Sequence, residues 1–457
     1  MRQDAVTAAD RALAPPSPRG YPLVGHLPFM AKDAPGFFTT CAREHGGVVS
    51  LALGGWPTVL VSDPAAIEPI LVRSHASYIK HNFFWRHVRA IFGEGLLTSN
   101  GALWQRQRRL AAPAFAGRKL DGYGAVMVRM TEEMLDRWTP GEARDVHVDM
   151  MGVTLRIAAK TLFDSELEEE VERIDHAVTL LMNEIAARYA RPVLIPDAVP
   201  LPGHIRYRKG LKVVEEVIDR IVAERRARPA DSGDLLALYM QARDEEGRGM
   251  SDRQLRDEMV TLLLAGHETT ALVLSWAWYE LARHPQAQER LAAEIEAVLG
   301  DRPAGVEDLR RLPFAECVVK ESMRLYPPGW AIGRETTEEV EIGGYTIAKG
   351  TTVIMAPWVL HRDPRFFDEP EAFRPERWED GLEERLPRFA YMPFGGGPRV
   401  CIGNRFSMME AILLLVTMAR RYRFAPTPGR DTTPFPSITL RPKDGVWVEV
   451  ERRAAAA

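Results

Sequence analysis

A glycine-rich loop with one cysteine carries the most evident chemistry in this sequence. It reads FGGGPRVCIG from Phe394 to Gly403 and precedes a predicted helix over 404–420. Backbone N–H groups at a helix N-terminus stabilise a thiolate and lower its pKa, so we expect Cys401 to be ionised. Gly397 and Gly403 would let a flat ligand approach the backbone closely. A thiolate held in this way is a soft axial ligand for haem iron.

A catalytic nucleophile is the alternative interpretation of Cys401. Such a thiol requires a histidine base nearby, and no Cys/His signature stands in the sequence, although sequence spacing leaves spatial proximity open. The other two cysteines, Cys41 and Cys317, are predicted to be packing residues. Three cysteines without a CxxC pair form neither a disulfide framework nor a structural zinc site.

Composition excludes several other classes of protein. The 457 residues include 59 Lys and Arg against 63 Asp and Glu, a net charge of −4, so the basic excess typical of nucleic-acid binding is missing. The N-terminal residues 1–18 are polar and rich in alanine and proline, unlike a signal peptide or membrane anchor. We therefore expect a cytoplasmic protein with no nucleic-acid partner and no membrane anchor.

An acid and an alcohol stand in the middle of the longest predicted helix. This helix runs from Ser251, which begins a capping-box pattern, to Arg283, which precedes a proline stop signal. Its centre, 265–270, reads AGHETT, where glycine and threonine lower helix propensity. Two interpretations stay open: a groove where a small ligand meets Glu268 and Thr269, or a polar kink in an exposed helix.

A glutamate and two arginines form a third pattern. Glu321 and Arg324 are three residues apart, so their side chains lie on one helix face. Such a pair alone is normally a solvated surface pair. Arg377 stands in a second motif, FRPERW at 373–378, and bidentate arginine forks are suited to fixing a loop on a buried carboxylate. We predict a buried network of these three residues.

Hydrophobic periodicity predicts a helix-rich chain with small strand patches. Two short strands over 48–53 and 57–62 surround Gly54-Gly55 as a hairpin. We predict a flexible N-terminal segment over 1–20 and a single domain over 21–457, of the mainly α (α+β) class. Further helices are predicted over about 64–73, 101–138, 149–164, 167–189 and 206–227.

Taken together, these motifs resemble the cytochrome P450 family, in the family's order and over residues 20–450. The resemblance implies the P450 fold, with a long central helix over the haem. The matching motifs are FGGGPRVCIG at 394–403 (haem-binding signature), AGHETT at 265–270 (oxygen-activating helix), Glu321, Arg324 and Arg377 (ExxR network), and Trp104 with Arg108 (WxxxR).

The resemblance implies a haem-thiolate monooxygenase that inserts one atom of O₂ into a C–H bond of an apolar substrate. Cys401 would bind the iron of haem b, Thr269 would hydrogen-bond dioxygen, and Glu268 would help to relay protons. Electrons would come from external NAD(P)H through a ferredoxin or flavodoxin and its reductase, since no reductase domain is expected in the chain. We expect a monomer.

The resemblance also implies two sets of contact residues. The helical pair over 165–230, interrupted by prolines, would be a mobile lid over an apolar pocket, where a terpenoid, a fatty acid or a macrolide would fit. The predicted haem contacts are Cys401, Arg399, Trp104, Arg108, Arg334, Phe394, Gly395, Ala265, Gly266 and Gly403. The predicted pocket residues are Phe83, Phe84, Trp85, Ile91, Phe92, Trp330, Ala331, Ile332 and Ile438.

Two other haem functions remain as alternatives. A peroxygenase driven by H₂O₂ would use the same thiolate but typically has a carboxylate-recruiting arginine in place of the acid–alcohol pair, and Glu268-Thr269 argues against it. A non-enzymatic haem sensor or carrier would not need that pair.

Overall fold

A computed structural model of the chain describes residues 14–168, 170–189, 195, 199–228, 234–243 and 247–453. Helices dominate and the strands form small sheets, which is the class that the sequence predicts. The helices are α1 (Leu27–His45), α2 (Pro64–Glu68), α3 (Phe83–Phe92), α4 (Gly101–Ala111), α5 (Gly117–Leu135), α6 (Val146–Phe163), α7 (Val171–Tyr189), α8 (Pro202–Ala227), α9 (Leu235–Gln241), α10 (Asp252–Arg283), α11 (Pro285–Leu299), α12 (Pro313–Leu325), α13 (Pro357–Leu360), α14 (Leu382–Arg385) and α15 (Asn404–Arg421).

The strands assemble into one larger sheet and several small ones. The larger sheet has the order β1-β2-β8-β5-β3, in which β2 and β8 are parallel and the other pairs antiparallel. A second sheet has the order β4-β12-β9, and β6-β7 and β10-β11 are hairpins. The strands are β1 (Val48–Leu53), β2 (Trp56–Val61), β3 (Tyr78–Ile79), β4 (Ala143–Asp145), β5 (Ile332–Thr336), β6 (Val340–Ile342), β7 (Tyr345–Ile347), β8 (Thr352–Met355), β9 (Tyr422–Pro426), β10 (Pro434–Pro436), β11 (Leu440–Pro442) and β12 (Trp447–Arg452).

Local signals explain where the main helices begin and end. The Ser251 side chain caps α10 by accepting from the Gln254 N–H at 3.2 Å, as the capping-box pattern predicts. The predicted helix over 101–138 is wrong in one respect, because it is broken by a 3₁₀ turn at Ala112–Phe115. Pro113 lies in that turn, and proline removes a backbone donor and clashes with the preceding helical turn.

Helix α10 lies at the centre of the fold and packs against α6, α8, α12 and α15. It is long and apolar enough to span a membrane, but 83% of its most apolar window is buried inside the protein. A helix that is apolar on most faces and enclosed by other helices is a core helix.

The end of the predicted N-terminal segment packs onto the larger sheet. The Ser50 N–H donates to the Pro16 carbonyl at 2.8 Å, and the His26 ring contacts the Pro18 carbonyl at 3.1 Å. Residues 1–13 lie outside the described residues, so the flexibility predicted for 1–20 remains a prediction.

Glu321 lies at the centre of a fully buried polar network. Its carboxylate accepts both forks of Arg324 at 2.8 Å, Arg377 Nε at 3.0 Å and Trp378 Nε1 at 2.9 Å. Arg324 also donates to the His361 carbonyl at 2.9 Å. The network joins α12 to the loops over 361–378, which precede the cysteine loop, and thereby fixes their position.

Removing the charge of Glu321 should destabilise the fold strongly. Glu321→Gln leaves two buried guanidinium groups without a counter-charge, which costs about 3–5 kcal/mol. Urea denaturation would measure the loss. Glu316→Gln on the same helix is the matched control, because Glu316 is half-exposed and pairs with Lys320 at the surface, where a pair contributes about 0–1 kcal/mol. Equal effects of the two variants would contradict this prediction.

A second buried carboxyl group should make stability depend on pH. Glu258 on α10 accepts from the Leu96 N–H at 3.2 Å and the Tyr239 hydroxyl at 3.3 Å, and burial raises its pKa from about 4.5 to about 8. The native state therefore favours the protonated acid. The contribution of protonated Glu258 to the free energy of unfolding is fully present below about pH 4.5 and is lost as the pH rises through about 8.

Substituting Glu258 should flatten this dependence. We expect wild type to lose stability relative to Glu258→Gln between about pH 4.5 and 8, by a few kcal/mol. The measurement is the free energy of unfolding in urea across that range. Glu296→Gln, which changes an exposed glutamate, should follow wild type; parallel curves for wild type and Glu258→Gln would refute the prediction.

Candidate active site

The middle of α10 opens onto an internal space. Between Glu258 and Trp278 every residue is buried except Ala265, Gly266 and Thr269, which are half-buried. Since α10 is enclosed by other helices, exposed surface at its centre must face the interior of the protein. The helix is continuous, and Thr269 Oγ1 donates back to the Ala265 carbonyl at 2.9 Å.

These observations decide between the two interpretations of the AGHETT sequence. An exposed polar kink is wrong, because the helix is neither exposed nor interrupted. The open space arises from small side chains, since even a Cβ at Gly266 would lie 3.8 Å from Ala158 Cβ, an ordinary contact.

Cys401 opens onto an interior space as well. Its side chain is exposed, although protein surrounds it closely enough for burial to be the main influence on its pKa. The expectation of a lowered pKa is wrong for the protein alone: burial raises the pKa, and the Gly403 N–H, Arg108 and Lys80 lower it only in part. A deep but uncovered thiol fits a metal ligand better than a packing residue.

The buried side chains of Lys80 and Arg334 and the half-buried side chain of Arg399 lie close together without a described acid. Burial and the nearby Arg399 lower the pKa of Arg334 to about 9, and burial lowers that of Arg399 to about 10. Burial, Arg334 and Arg399 also lower the pKa of Lys80. Among the described residues none of the three has a carboxylate partner, and Arg399 Nη1 is buried with no hydrogen-bond partner. This cluster fits the two propionates of a haem, which would supply the missing negative charge.

The residues of the WxxxR motif contact the cysteine loop from α4. The Arg399 guanidinium lies over the Trp104 ring, 4.4 Å from its centroid. Arg108 Nη1 donates to the Val400 carbonyl at 2.7 Å. Both residues of the motif therefore contact the cysteine loop, and their contact with a haem stays a prediction.

The glycines of the cysteine loop serve different purposes. Gly397 has φ +66°, and a Cβ there would lie 1.8 Å from the Leu71 carbonyl oxygen, so the glycine is needed for packing onto the chain after α2 rather than for approach to a ligand. Gly395 has φ +69° and lies against Ile332, whereas a Cβ at Gly403 would lie 3.6 Å from Phe115. Phe394 is half-buried against the largest core cluster.

Glu268 is held in a buried ion pair that the sequence analysis missed. Its Oε1 accepts from Arg441 Nε at 2.7 Å and from the Thr439 hydroxyl at 2.8 Å, both from the β10-β11 region. Burial raises the pKa of Glu268, but Arg441, His267 and Thr439 together bring it below its ordinary value. The only signal for Arg441 in the sequence is a charged residue beside the apolar stretch 438–440.

A cavity of about 1220 Å³ lies between α1, the larger sheet, α7 and the β10-β11 hairpin. Its lining is mostly apolar and includes the predicted residues Phe84, Trp330 and Ala331. Cys401 and Thr269 are not among the described residues that line it. On α7, Asn183, Ala186 and Tyr189 contribute to its wall; of the prolines of the predicted lid, Pro192 and Pro196 lie outside the described residues.

Other predicted pocket residues lie elsewhere. Trp85, Ile91 and Phe92 are buried in the core cluster beneath α3, because α3 is amphipathic and these side chains lie on its inner face. None of them lines the cavity of about 1220 Å³, and their place in a substrate pocket stays a prediction. Ile332 lies beside Gly395, Ile438 packs on the edge of the same core cluster, and the side chain of Phe83 lies outside the described residues.

Comparisons with known proteins agree with this site. The family model described as "Cytochrome P450" matches residues 15–448. The chain is 37% identical to "Cyclooctatin synthase" of Streptomyces melanosporofaciens over 93% of both chains. It is 33% identical to "Cyclooctat-9-en-7-ol 5-monooxygenase" of the same organism over 94% of this chain and 95% of that one. It is 30% identical to "Pentalenene oxygenase" of Streptomyces avermitilis, over 93% and 94%.

The resemblance seen in the sequence is thereby confirmed, and with it the enzyme class. This chain belongs to the cytochrome P450 family and is a monooxygenase of that family.

Proposed function

We propose that this enzyme hydroxylates a cyclic terpenoid within a single haem domain over 21–457. The observation that carries this proposal is an open thiol with cations beside it. The acid–alcohol turn of α10 meets α15, the helix that follows this thiol, through the hydrogen bond between Thr270 and Ser407 at 3.1 Å. When bound, haem b supplies the activation of O₂ and the transfer of one oxygen atom to a C–H bond. The substrate class is supported by the names of two relatives, pentalenene oxygenase and cyclooctat-9-en-7-ol 5-monooxygenase.

The chain's own residues would hold the cofactor by charge and by a thiolate. Cys401 would provide the iron ligand, and Arg334, Arg399 and Lys80 would neutralise the propionates. Arg108 holds the Val400 carbonyl at 2.7 Å and so keeps the loop in place beside the iron ligand. Trp104 covers the Arg399 guanidinium, which limits the access of water to the charge cluster.

Thr269 and Glu268 would manage protons at the substrate side. The Thr269 hydroxyl donates its hydrogen bond to the Ala265 carbonyl, so its oxygen lone pairs are free to accept one from the interior. Glu268 is ionised and bound to Arg441, so the ion pair holds the acid ready as a proton acceptor and fixes its orientation. Arg441 is a positioning residue, because it acts through Glu268.

The cavity of about 1220 Å³ would admit an apolar substrate. Met30, Phe38, Phe84 and Trp330 give it aromatic and aliphatic walls. Its polar lining includes Asp33, Asn82 and Asn183. A rigid polycyclic substrate would lose little conformational entropy on entering, which favours it over a flexible fatty acid. The test is a screen of cyclic terpenoids and fatty acids that follows the spin shift of the haem.

Members of this family need an electron donor, and we propose a ferredoxin or flavodoxin with its reductase and NAD(P)H. Arg109 on α4 and Arg405 at the start of α15 are exposed next to the cysteine loop. An acidic carrier would be attracted to this basic face, and added salt should slow the association. We also propose that the enzyme is cytoplasmic and monomeric.

The reduced, CO-bound protein should show the red-shifted Soret band of thiolate ligation. Cys401→Ala should abolish that band, because Cys401 is the proposed iron ligand. Cys317→Ala and Cys41→Ala are matched controls at buried cysteines and should keep it. A red-shifted band that persists in Cys401→Ala would refute the proposed ligand. Product formed with H₂O₂ alone, at the rate seen with a redox chain, would instead favour a peroxygenase.

Removing Arg441 should move the pH profile of product formation. Arg441 lowers the pKa of Glu268, so Arg441→Gln should raise that pKa and shift the acid limb of the profile to higher pH. Arg441→Lys keeps the charge and should shift it less. The measurement is product formed per NADPH consumed across the pH range, and an identical profile for wild type and Arg441→Gln would contradict the positioning role.

A further inference from the structure

Two tryptophans on α10 lie in different aromatic surroundings. Trp276 and Trp278 are both fully buried. Trp276 is stacked on Tyr326, with ring centroids 4.1 Å apart and planes only 6° from parallel. The described aromatic neighbour of Trp278 is Phe424, at 4.0 Å. Tryptophan and tyrosine lose one electron far more readily than phenylalanine, so only the first pair can pass an oxidising equivalent onward.

The aromatic contacts of Trp276 continue to the protein surface. Tyr279 lies 5.4 Å from Trp276 and 6.2 Å from Tyr326, measured between ring centroids. Its hydroxyl donates to Asp431 at 3.0 Å, and the Asp431 side chain is 78% exposed. Three oxidisable rings therefore form a continuous path from the core of the protein to solvent.

The inner end of this path lies two helical turns from Thr269. Trp276 follows Thr269 by seven residues, which places both on the same face of α10, about 10 Å apart along the axis. Trp276 Nε1 also donates to the Leu440 carbonyl at 3.1 Å. Leu440 is adjacent to Thr439 and Arg441, the residues that hold Glu268.

The middle ring of the path has a proton acceptor. The Tyr326 hydroxyl donates to Glu280 Oε1 at 2.7 Å, and Glu280 is buried. An oxidised tyrosine becomes strongly acidic, so it needs a base within hydrogen-bond distance to form the neutral radical. Glu280 supplies that base where water has little access.

We propose that Trp276, Tyr326 and Tyr279 form an electron-transfer path that reduces the haem site when it is oxidised without a substrate to attack. One electron leaves Trp276 for the haem site, and Tyr326 restores Trp276 while its phenolic proton moves to Glu280. Tyr279 then gives an electron to the Tyr326 radical; Glu280 returns the proton to the Tyr326 oxygen, and the phenolic proton of Tyr279 moves to Asp431, its hydrogen-bond partner. A thiol in solvent gives one electron to the Tyr279 radical, Asp431 returns the phenolic proton, and the thiol releases its own proton and becomes half a disulfide. The enzyme thereby gains a peroxide-dependent thiol oxidase activity. This inference rests on the proposed haem site.

Rapid freezing and electron paramagnetic resonance would test the path. Haem-loaded protein without substrate is mixed with an organic peracid, frozen and examined for a tyrosyl radical, and oxidation of added glutathione is followed in parallel. We expect a tyrosyl signal in wild type, its loss in Trp276→Phe and loss of the Tyr326 radical in Tyr326→Phe. In Tyr279→Phe the radical should persist on Tyr326 while thiol oxidation falls.

Matched controls separate this path from general damage. Trp278→Phe removes the neighbouring buried tryptophan, and Tyr239→Phe removes a buried tyrosine that is bound to Glu258 but has no aromatic neighbour among the described residues; both should keep the signal. An unchanged signal in Trp276→Phe and Tyr326→Phe, or no tyrosyl signal in wild type, would overturn the proposal. The reduced, CO-bound spectrum of each sample shows independently whether the haem-thiolate site has formed.

Discussion

Uncompensated positive charge in the interior is the constraint on which the rest of the structure depends. Arg399 lowers the pKa of Arg334, both arginines lower the pKa of Lys80, and no described carboxylate balances them. The buried arginines of the Glu321 network differ from this cluster, because the Glu321 carboxylate balances their charge. We propose that a bound anionic cofactor completes the first cluster, which would couple folding and cofactor binding through charge.

Much of this arrangement was visible in the sequence because its signals are local. The cysteine loop, the cap at Ser251 and the spacing of Glu321 and Arg324 each lie within a few residues, and the structure forms the corresponding elements. Lys80 and Arg441 left no comparable signal, because their importance arises only when distant segments meet at one place. The lining of the cavity was harder to predict from the sequence. Ile91 has a side chain suited to a cavity wall, but it lies on the inner face of its helix.

Helix α10 combines roles that would conflict in a shorter or more exposed element. Its centre must be open enough to admit a small ligand, which small residues at Ala265 and Gly266 allow. The same turn must keep an ionised acid in a dry environment, which only a buried partner such as Arg441 makes tolerable. Burial on almost every other face supplies the packing energy that holds both features in place.

The same rigidity explains why the proposed electron-transfer path would begin on α10. When an enzyme activates oxygen without a bound substrate, the side chains nearest to the site can be oxidised. A close-packed core has no mobile group that could react first. Fixed rings in contact, such as Trp276 and Tyr326, avoid that difficulty because electrons move between them without movement of the chain. Trp278, two residues further along the helix, has Phe424 as its described aromatic neighbour, so the direction of electron transfer is set by which ring each tryptophan contacts.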